Sequence, residues 1–299
     1  MFRIAVAVLV ATLSGCSLQN LATDRLADAL AGQGAGFARD DDPQLIRDAA
    51  PFSLKLIETV IAERPRHREL LTAAARGFTQ YAYAFLQQEA DFVEDTDIAA
   101  ATRLRERARG LYRRARDYGL QGLAPGEAGL AERLRSDPPT ALGGFGRGDV
   151  PLLYWTAAAW AGWIGQSRDD SSAVADLPVA LALLDRALAL DEAYDGGALH
   201  GLAVTLEASR PGDPAAIAAE ARRHFERAVA LSGGALASPY VALAESVAIP
   251  RQERREFERL LQAALAVDPD RAADRRLENR VMQQRARWLQ QHADKFFIE

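Results

Sequence analysis

Cysteine occurs once in the 299 residues, at Cys16, so an intramolecular disulfide has no second partner. Lysine is nearly missing: of 36 basic residues only Lys55 and Lys295 are lysine, and the rest are arginine. Arginine forks onto carboxylates and phosphates, but an Ala- and Arg-rich coding background explains the bias more simply, and the count decides little. A basic surplus is also missing. The net charge of −5 and the sequence pI near 5.6 argue against a nucleic-acid partner, which wants a basic face. Beyond the N-terminus no run of apolar residues is long enough to span a bilayer. Nothing alternates with period two over a useful length, which excludes a sheet from the expectation. The four histidines, His67, His200, His224 and His292, show no metal-ligand spacing on a helix and stand beside no candidate nucleophile. No serine elbow or distinctive carboxylate pair occurs. Neither catalysis nor a cofactor has support in these residues, and the expectation is a protein that is not an enzyme.

What is present begins at residue 1. Residues 1–15, MFRIAVAVLVATLSG, carry Arg3, an apolar run from Ile4 to Leu13 and a small-residue exit, the pattern of an export signal. Leu13-Ser14-Gly15-Cys16 resembles the bacterial lipobox, in which the thiol is acylated and becomes the new N-terminus. Several acyl chains anchor stably where one is marginal. Ser17 rather than Asp follows, which in lipoproteins of this kind favours the outer membrane. Residues 16–42, dotted with Gly32, Gly34 and Gly36, read as a lipidated tether, partly helical around Leu21–Leu30. Asp42-Pro43 then supplies a helix cap and a first-turn proline, opening a helical domain over 43–299.

Within that domain one helical phrase recurs. Ala108–Tyr112–Ala115, Ala180–Leu184–Ala187 and Ala221–Phe225–Ala228 place a small residue, then an aromatic or leucine four on, then alanine three further, and Phe257–Leu261–Ala264 repeats it in degraded form. Residues four and three apart stack on one helix face, and the small ones admit a neighbouring helix. The closing alanines are 72, 41 and 36 residues apart, multiples or neighbours of the roughly 34-residue period of tetratricopeptide-type (TPR) repeats. Pro269 follows the last of them as that pattern expects. The fold class is therefore all-α, an α-solenoid of TPR-like helix pairs with a cleft or pore. From Leu123 to Val150 the pattern breaks at Pro125, Pro138, Pro139 and Gly143–Gly148, leaving an irregular connection with one short helix near Glu127–Arg135.

Three stretches invite a chemical reading. Gly143–Gly148 lacks the Gly-Lys-Ser/Thr ending of a phosphate loop and follows no strand, so a hinge is expected. Three of the four tryptophans, Trp155, Trp160 and Trp163, share one helix with Tyr154 and spread across roughly 140° of its surface, Tyr154 facing away. Such a helix is either buried on two sides or lines an aromatic cleft on one. On the last helix Leu277, Val281, Trp288, His292 and Phe296 form an apolar stripe, and Gln284 and Arg285 fall in or beside it. Arg285 reads as a salt-bridged or snorkelling residue, or as one that meets an anionic ligand or a partner.

The stretches Ala50-Pro51-Phe52-Ser53-Leu54-Lys55-Leu56-Ile57, Tyr81–Phe85, Arg107–Leu120, Asp149-Val150-Pro151 with Leu153-Tyr154-Trp155, Trp160, and Arg276–Asn279 through Arg285–Leu289 run in order through almost the whole mature chain. Together they resemble the T component associated with tripartite ATP-independent periplasmic (TRAP) transporters, the TatT-like lipoproteins. Where that family has a fuller Gly-Gly-Asp turn, this chain has Pro211-Gly212-Asp213. The resemblance implies a periplasmic, membrane-anchored helical-repeat protein that docks the transporter's solute-binding P component, handles a small hydrophobic or carboxylated ligand, and is compatible with a homo-oligomer such as a trimer. It nominates Tyr154, Trp155, Asp149, Asn279 and Arg285 as ligand-binding residues and Cys16 as the lipidated one. The competing reading is a general TPR scaffold lipoprotein for envelope assembly or lipid handling, without a ligand site.

Overall fold

The computed structural model describes residues 24–32 and 34–298; residues 1–15, Cys16 and Ser17 lie outside that range. Among the described residues there is no strand, and no helix is long and apolar enough to cross a membrane. Residues 24–32 form α1, followed by α2 (Gly34–Ala38), α3 (Pro43–Glu63), α4 (Arg68–Tyr81), α5 (Gln88–Val93) and α6 (Ile98–Leu123). Two short helices, α7 (Leu130–Ser136) and α8 (Pro138–Leu142), precede α9 (Val150–Gly165) and α10 (Ser171–Val174). The remainder is α11 (Leu177–Asp191), α12 (Ala198–Glu207), α13 (Pro214–Leu231), α14 (Ser238–Leu243), α15 (Arg254–Ala266) and α16 (Arg276–Gln291).

Local chemistry sets the helix starts. Asp42 accepts hydrogen bonds from the Gln44 and Leu45 amides at 2.9 and 3.1 Å, with Pro43 in the first turn. Asp97 caps α6 through Ala100, and Asp213 caps α13 through Ala216 ahead of Pro214. The recurring phrase is the buried seam of its helices: Ala108, Tyr112, Ala115, Leu184, Phe257 and Leu261 are each 2% exposed or less, while Phe225 is half-buried.

Helix α6 packs against both α4 and α9, α9 against α11, α12 against α13, and α15 against α16. Glycine permits the closest of these seams. A Cβ on Gly119 would lie 3.2 Å from the Thr156 Cα, and one on Gly122 would lie 2.7 Å from Leu152 Cδ2. The chain's end then returns to its beginning. Trp288 of α16 meets Phe92 of α5 with ring centroids 5.6 Å apart, Lys295 pairs with Asp95, and Arg276 donates to the Arg39 carbonyl at 3.0 Å. Helices α1 and α2 lie near this closure: Ala27 and Leu30 are buried in the apolar cluster of α3 and α4, and α2 touches α16.

Between α6 and α9 the connection is more ordered than its glycines suggest. Arg186 donates to the Phe145 carbonyl at 2.5 Å, and the Gly146 amide donates to Asp149 at 2.7 Å. A single turn, Arg147–Asp149, leads straight into α9.

Candidate functional site

Two π-helical turns interrupt otherwise regular helices, Ala82–Gln87 between α4 and α5 and Ala244–Ala248 after α14. Such turns shift the following side chains around the axis and recur at functional sites. Here they carry Tyr83 and Glu245, and both lie against α16. Arg285 donates to Glu245 Oε1 from Nη2 at 2.6 Å and from Nε at 3.1 Å. Its Nη1 stands 2.9 Å from Asp91 Oδ2, too poorly aligned for a hydrogen bond, so that contact is electrostatic. The Trp288 ring covers the same guanidinium at 4.6 Å. One turn back, Met282 accepts weak contacts from Tyr83 Oη at 3.8 Å and Gln88 Nε2 at 3.9 Å. Burial pushes the Tyr83 phenol well above the ordinary tyrosine range, reinforced by the Glu245 charge.

A second cluster begins near the N-terminus of α16. Arg275 binds Asp195, donating from Nη1 to Oδ2 and from Nη2 to the main-chain carbonyl at 3.1 Å each. Asp195 itself adopts a left-handed backbone, φ 51°, in the turn after α11. Next to this pair Ser238 donates to Glu278 at 2.5 Å. Burial raises the Glu278 carboxyl above the usual range against the opposing pull of Ser238 and Arg275, yet the side chain keeps 37% of its accessible surface. Tyr154 shares this environment: its phenol is raised by burial and by the Glu278 charge, while its ring stays half-exposed. The Tyr154 ring meets Trp155 edge-on at 4.7 Å and Tyr194 at 5.7 Å. Tyr194 is pushed up to about 12, by burial first and then by Asp195, with Arg76 pulling the other way.

Glu278, Met282 and Arg285 stand at i, i+4 and i+7 on one stripe of α16, and Arg275, the residue that precedes the helix, continues it. The flank of the helix beside this stripe is structural. Asn279, fully buried, receives the Ala237 amide and donates to the Ala235 carbonyl, both at 2.9 Å. Asp149 receives the Gly146 amide and pairs with Arg68, tying the α9 entrance to α4. Of the five nominated residues, then, Tyr154 and Trp155 lie together, Asn279 adjoins Glu278 in sequence but faces inward to backbone, Arg285 belongs to the first cluster, and the contacts of Asp149 are with Gly146 and Arg68.

The tryptophan helix divides its work. Trp160 is core, fully buried with its indole N–H donated to Asp176 at 3.2 Å, and Arg116 covers Trp160 and Trp163. Only Trp155 joins the recessed rings. Tyr154 does not face away from it, because adjacent side chains on a helix can converge when both tilt toward a common neighbour, here Tyr194. Sequence reasoning also missed Arg76, Tyr83, Tyr194, Asp195, Glu245 and Glu278. Glu278 was findable, seven residues before Arg285 on the same face; the others come from distant elements. A further unforeseen pair is His200 and His224, whose Nδ1 atoms are 2.8 Å apart across α12 and α13. Glu192 lies 3.4 Å from His200, and Glu220 lies 3.5 Å from His224.

Residues 39–297 match the model of the TRAP transporter T-component family, and the chain belongs to that family. It is thus an accessory component of a TRAP transporter, a class of transport proteins rather than of enzymes. A protein of Treponema pallidum (strain Nichols), titled "Uncharacterized protein", is 28% identical over 304 residues, covering 96% of this chain and 94% of its own.

Proposed function

We propose that the protein is a lipid-anchored periplasmic accessory of a TRAP system which docks the solute-binding P component and passes a small organic ligand through its interior. In this reading the helices form a TPR-like solenoid bent into a ring around a pore, residues 16–42 tether it, and acylated Cys16 holds it to the outer membrane. The observation that carries the reading is the return of α16 onto α2, α3 and α5, with Arg275, Glu278, Met282 and Arg285 on one stripe. A simple open scaffold has no need to fold its last helix back onto its first ones or to gather Arg275, Glu278 and Ser238 beside Asp195. Family membership supplies the transport context.

The test is a binding titration between the soluble chain from Ser17 onward and the solute-binding protein of the same TRAP system. A saturable complex is expected, and it should also be recovered from native envelopes. Absence of a complex both in solution and from the envelope would favour the general scaffold reading instead.

A further inference from the structure

The protons of the His200–His224 pair do not balance. These residues, on α12 and α13, bring their Nδ1 atoms to 2.8 Å. A neutral imidazole carries one N–H and one bare nitrogen, and the partner of one nitrogen decides the state of the other. Behind each ring stands a carboxylate. Glu192 Oε2 lies 3.4 Å from His200 Nε2, and Glu220 Oε1 and Glu207 Oε1 lie 3.5 and 3.9 Å from His224 Nε2. An ionised carboxylate only accepts, so it favours the proton on Nε2 in both rings. Two Nδ1 lone pairs then face each other across the gap. Moving one proton into the gap bares an Nε2 against a carboxylate instead. A positive ion between the rings satisfies every one of these contacts.

We propose that His200 and His224 chelate a divalent transition cation of the zinc class through their Nδ1 atoms, and that the ion clips α12 to α13. Imidazole is a favoured ligand of such ions. A carboxylate on the far nitrogen is the usual outer support of a metal-bound histidine, fixing its tautomer and raising its basicity. The carboxylates are themselves held: Arg227 Nε donates to Glu192 at 3.2 Å, and Arg210 Nε to Glu207 at 2.7 Å. Two nitrogens each about 2.0–2.1 Å from one ion stand roughly 3.3 Å apart at a tetrahedral angle, so the rings part by about half an ångström to admit it. Burial lowers the proton affinity of both rings, which leaves them neutral and ready to ligate at neutral pH and weighs against a third proton there. Among the described residues no group of three or more His, Cys, Asp or Glu is placed to hold an ion, so water completes the coordination. A hard ion such as Mg2+, which wants oxygen donors, gains nothing from two imidazoles. The site stands apart from the α16 clusters and is independent of docking.

The experiment takes the untagged chain from Ser17 onward, stripped by a chelator, and titrates it with Zn2+ and with Mg2+ by calorimetry. One equivalent of Zn2+ is expected to bind saturably and to raise the melting temperature, whereas Mg2+ does neither. His200→Gln and His224→Gln should each lower Zn2+ affinity by about tenfold or more, and His67→Gln and His292→Gln should leave it unchanged. Glu192→Gln, which keeps the size of the side chain behind His200 and removes its charge, should lower it by about tenfold. On the unmodified chain, nitrogen-15 spectra of the imidazoles should show two Nδ1 resonances moving on addition of Zn2+, a readout that decides the matter even if a variant does not fold. No saturable Zn2+ binding, Mg2+ binding as well as Zn2+, affinity unchanged in folded His200→Gln and His224→Gln, or zinc-induced shifts confined to Nε2 atoms overturns the proposal.

Discussion

Arg285 shows what a single residue in a helical stripe does and does not announce. Helical geometry alone placed a charge beside the apolar seam of α16, but Asp91 and Glu245 come from far along the chain, and no spacing rule pairs them. Replacing it as Arg285→Met leaves two carboxylates facing each other, each about a quarter exposed. Removing one partner of a fully buried pair costs about 3–5 kcal/mol, and the partial exposure lowers the expectation to about 2 kcal/mol, to be read from urea denaturation. Glu278 should behave oppositely. Its carboxyl is raised in the folded state, so the folded state binds the proton more tightly and stability falls as pH rises through the window above the unfolded value. Glu278→Gln should therefore raise the melting temperature at pH 7 and leave it nearly unchanged below about pH 4, where the unfolded carboxyl is also protonated. The His200–His224 pair has the reverse sign of a salt-bridged histidine. Burial lowers both, with the neighbouring ring opposing His200 further and Glu207 partly offsetting the shift at His224. The unfolded chain then takes up protons first, and the stability present above about pH 6.5 is lost as pH falls toward the folded values. Glu192, Glu207, Glu220, Arg210, Arg223 and Arg227 surround the pair with fixed charges of both signs. A melting series from pH 7.5 to about 5 should be shallower in the His200→Gln, His224→Gln double variant; equal slopes would contradict it.

Among the elements, the seam between α6 and α9 gives the clearest contrast. Gly110 and Gly119 lie on the same helix, but a Cβ on Gly110 meets nothing within 4 Å, whereas one on Gly119 meets Thr156, main chain included. Gly110→Ala should stabilise by about 0.5–1 kcal/mol through helix propensity alone. Gly119→Ala should destabilise by about 1–3 kcal/mol, because the α9 backbone cannot step aside. Thermal melts of the two variants, moving in opposite directions, check both. Much of this level was legible: the Ala221–Phe225–Ala228 phrase falls within α13, which Asp213 caps and Pro214 opens. The connection after Leu123 was less so, since Pro138 reads as a breaker yet serves as the first turn of α8 behind the Asp137 cap. The two π-turns left no trace in the sequence. No local spacing marks them, so Tyr83 and Glu245 could not be assigned to the site in advance.

At the scale of the molecule the decisive feature is closure, and it is the least local of all. Periodicity announces helices and their buried faces, which is why the all-helical fold was legible, but nothing in a repeat tells where the last helix lands. Phe92 against Trp288 and Asp95 against Lys295 join α5 and its following turn to the end of the described chain, and the stripe of α16 that faces α5 depends on them. The near-absence of cysteine makes this testable, because the chain from Ser17 onward contains no thiol of its own. Single cysteines would be introduced as Glu278→Cys on α16, as Tyr154→Cys on α9 and as Ala264→Cys in the core, and the rate of modification by a small cationic thiol reagent measured in the native protein. Rapid modification of the first two and protection of the third, with both accessible thiols slowed when the solute-binding protein is added, is the result expected of a ligand passage that opens toward its partner. Protection of all three positions, or rates at 278 and 154 indifferent to that partner, would contradict it.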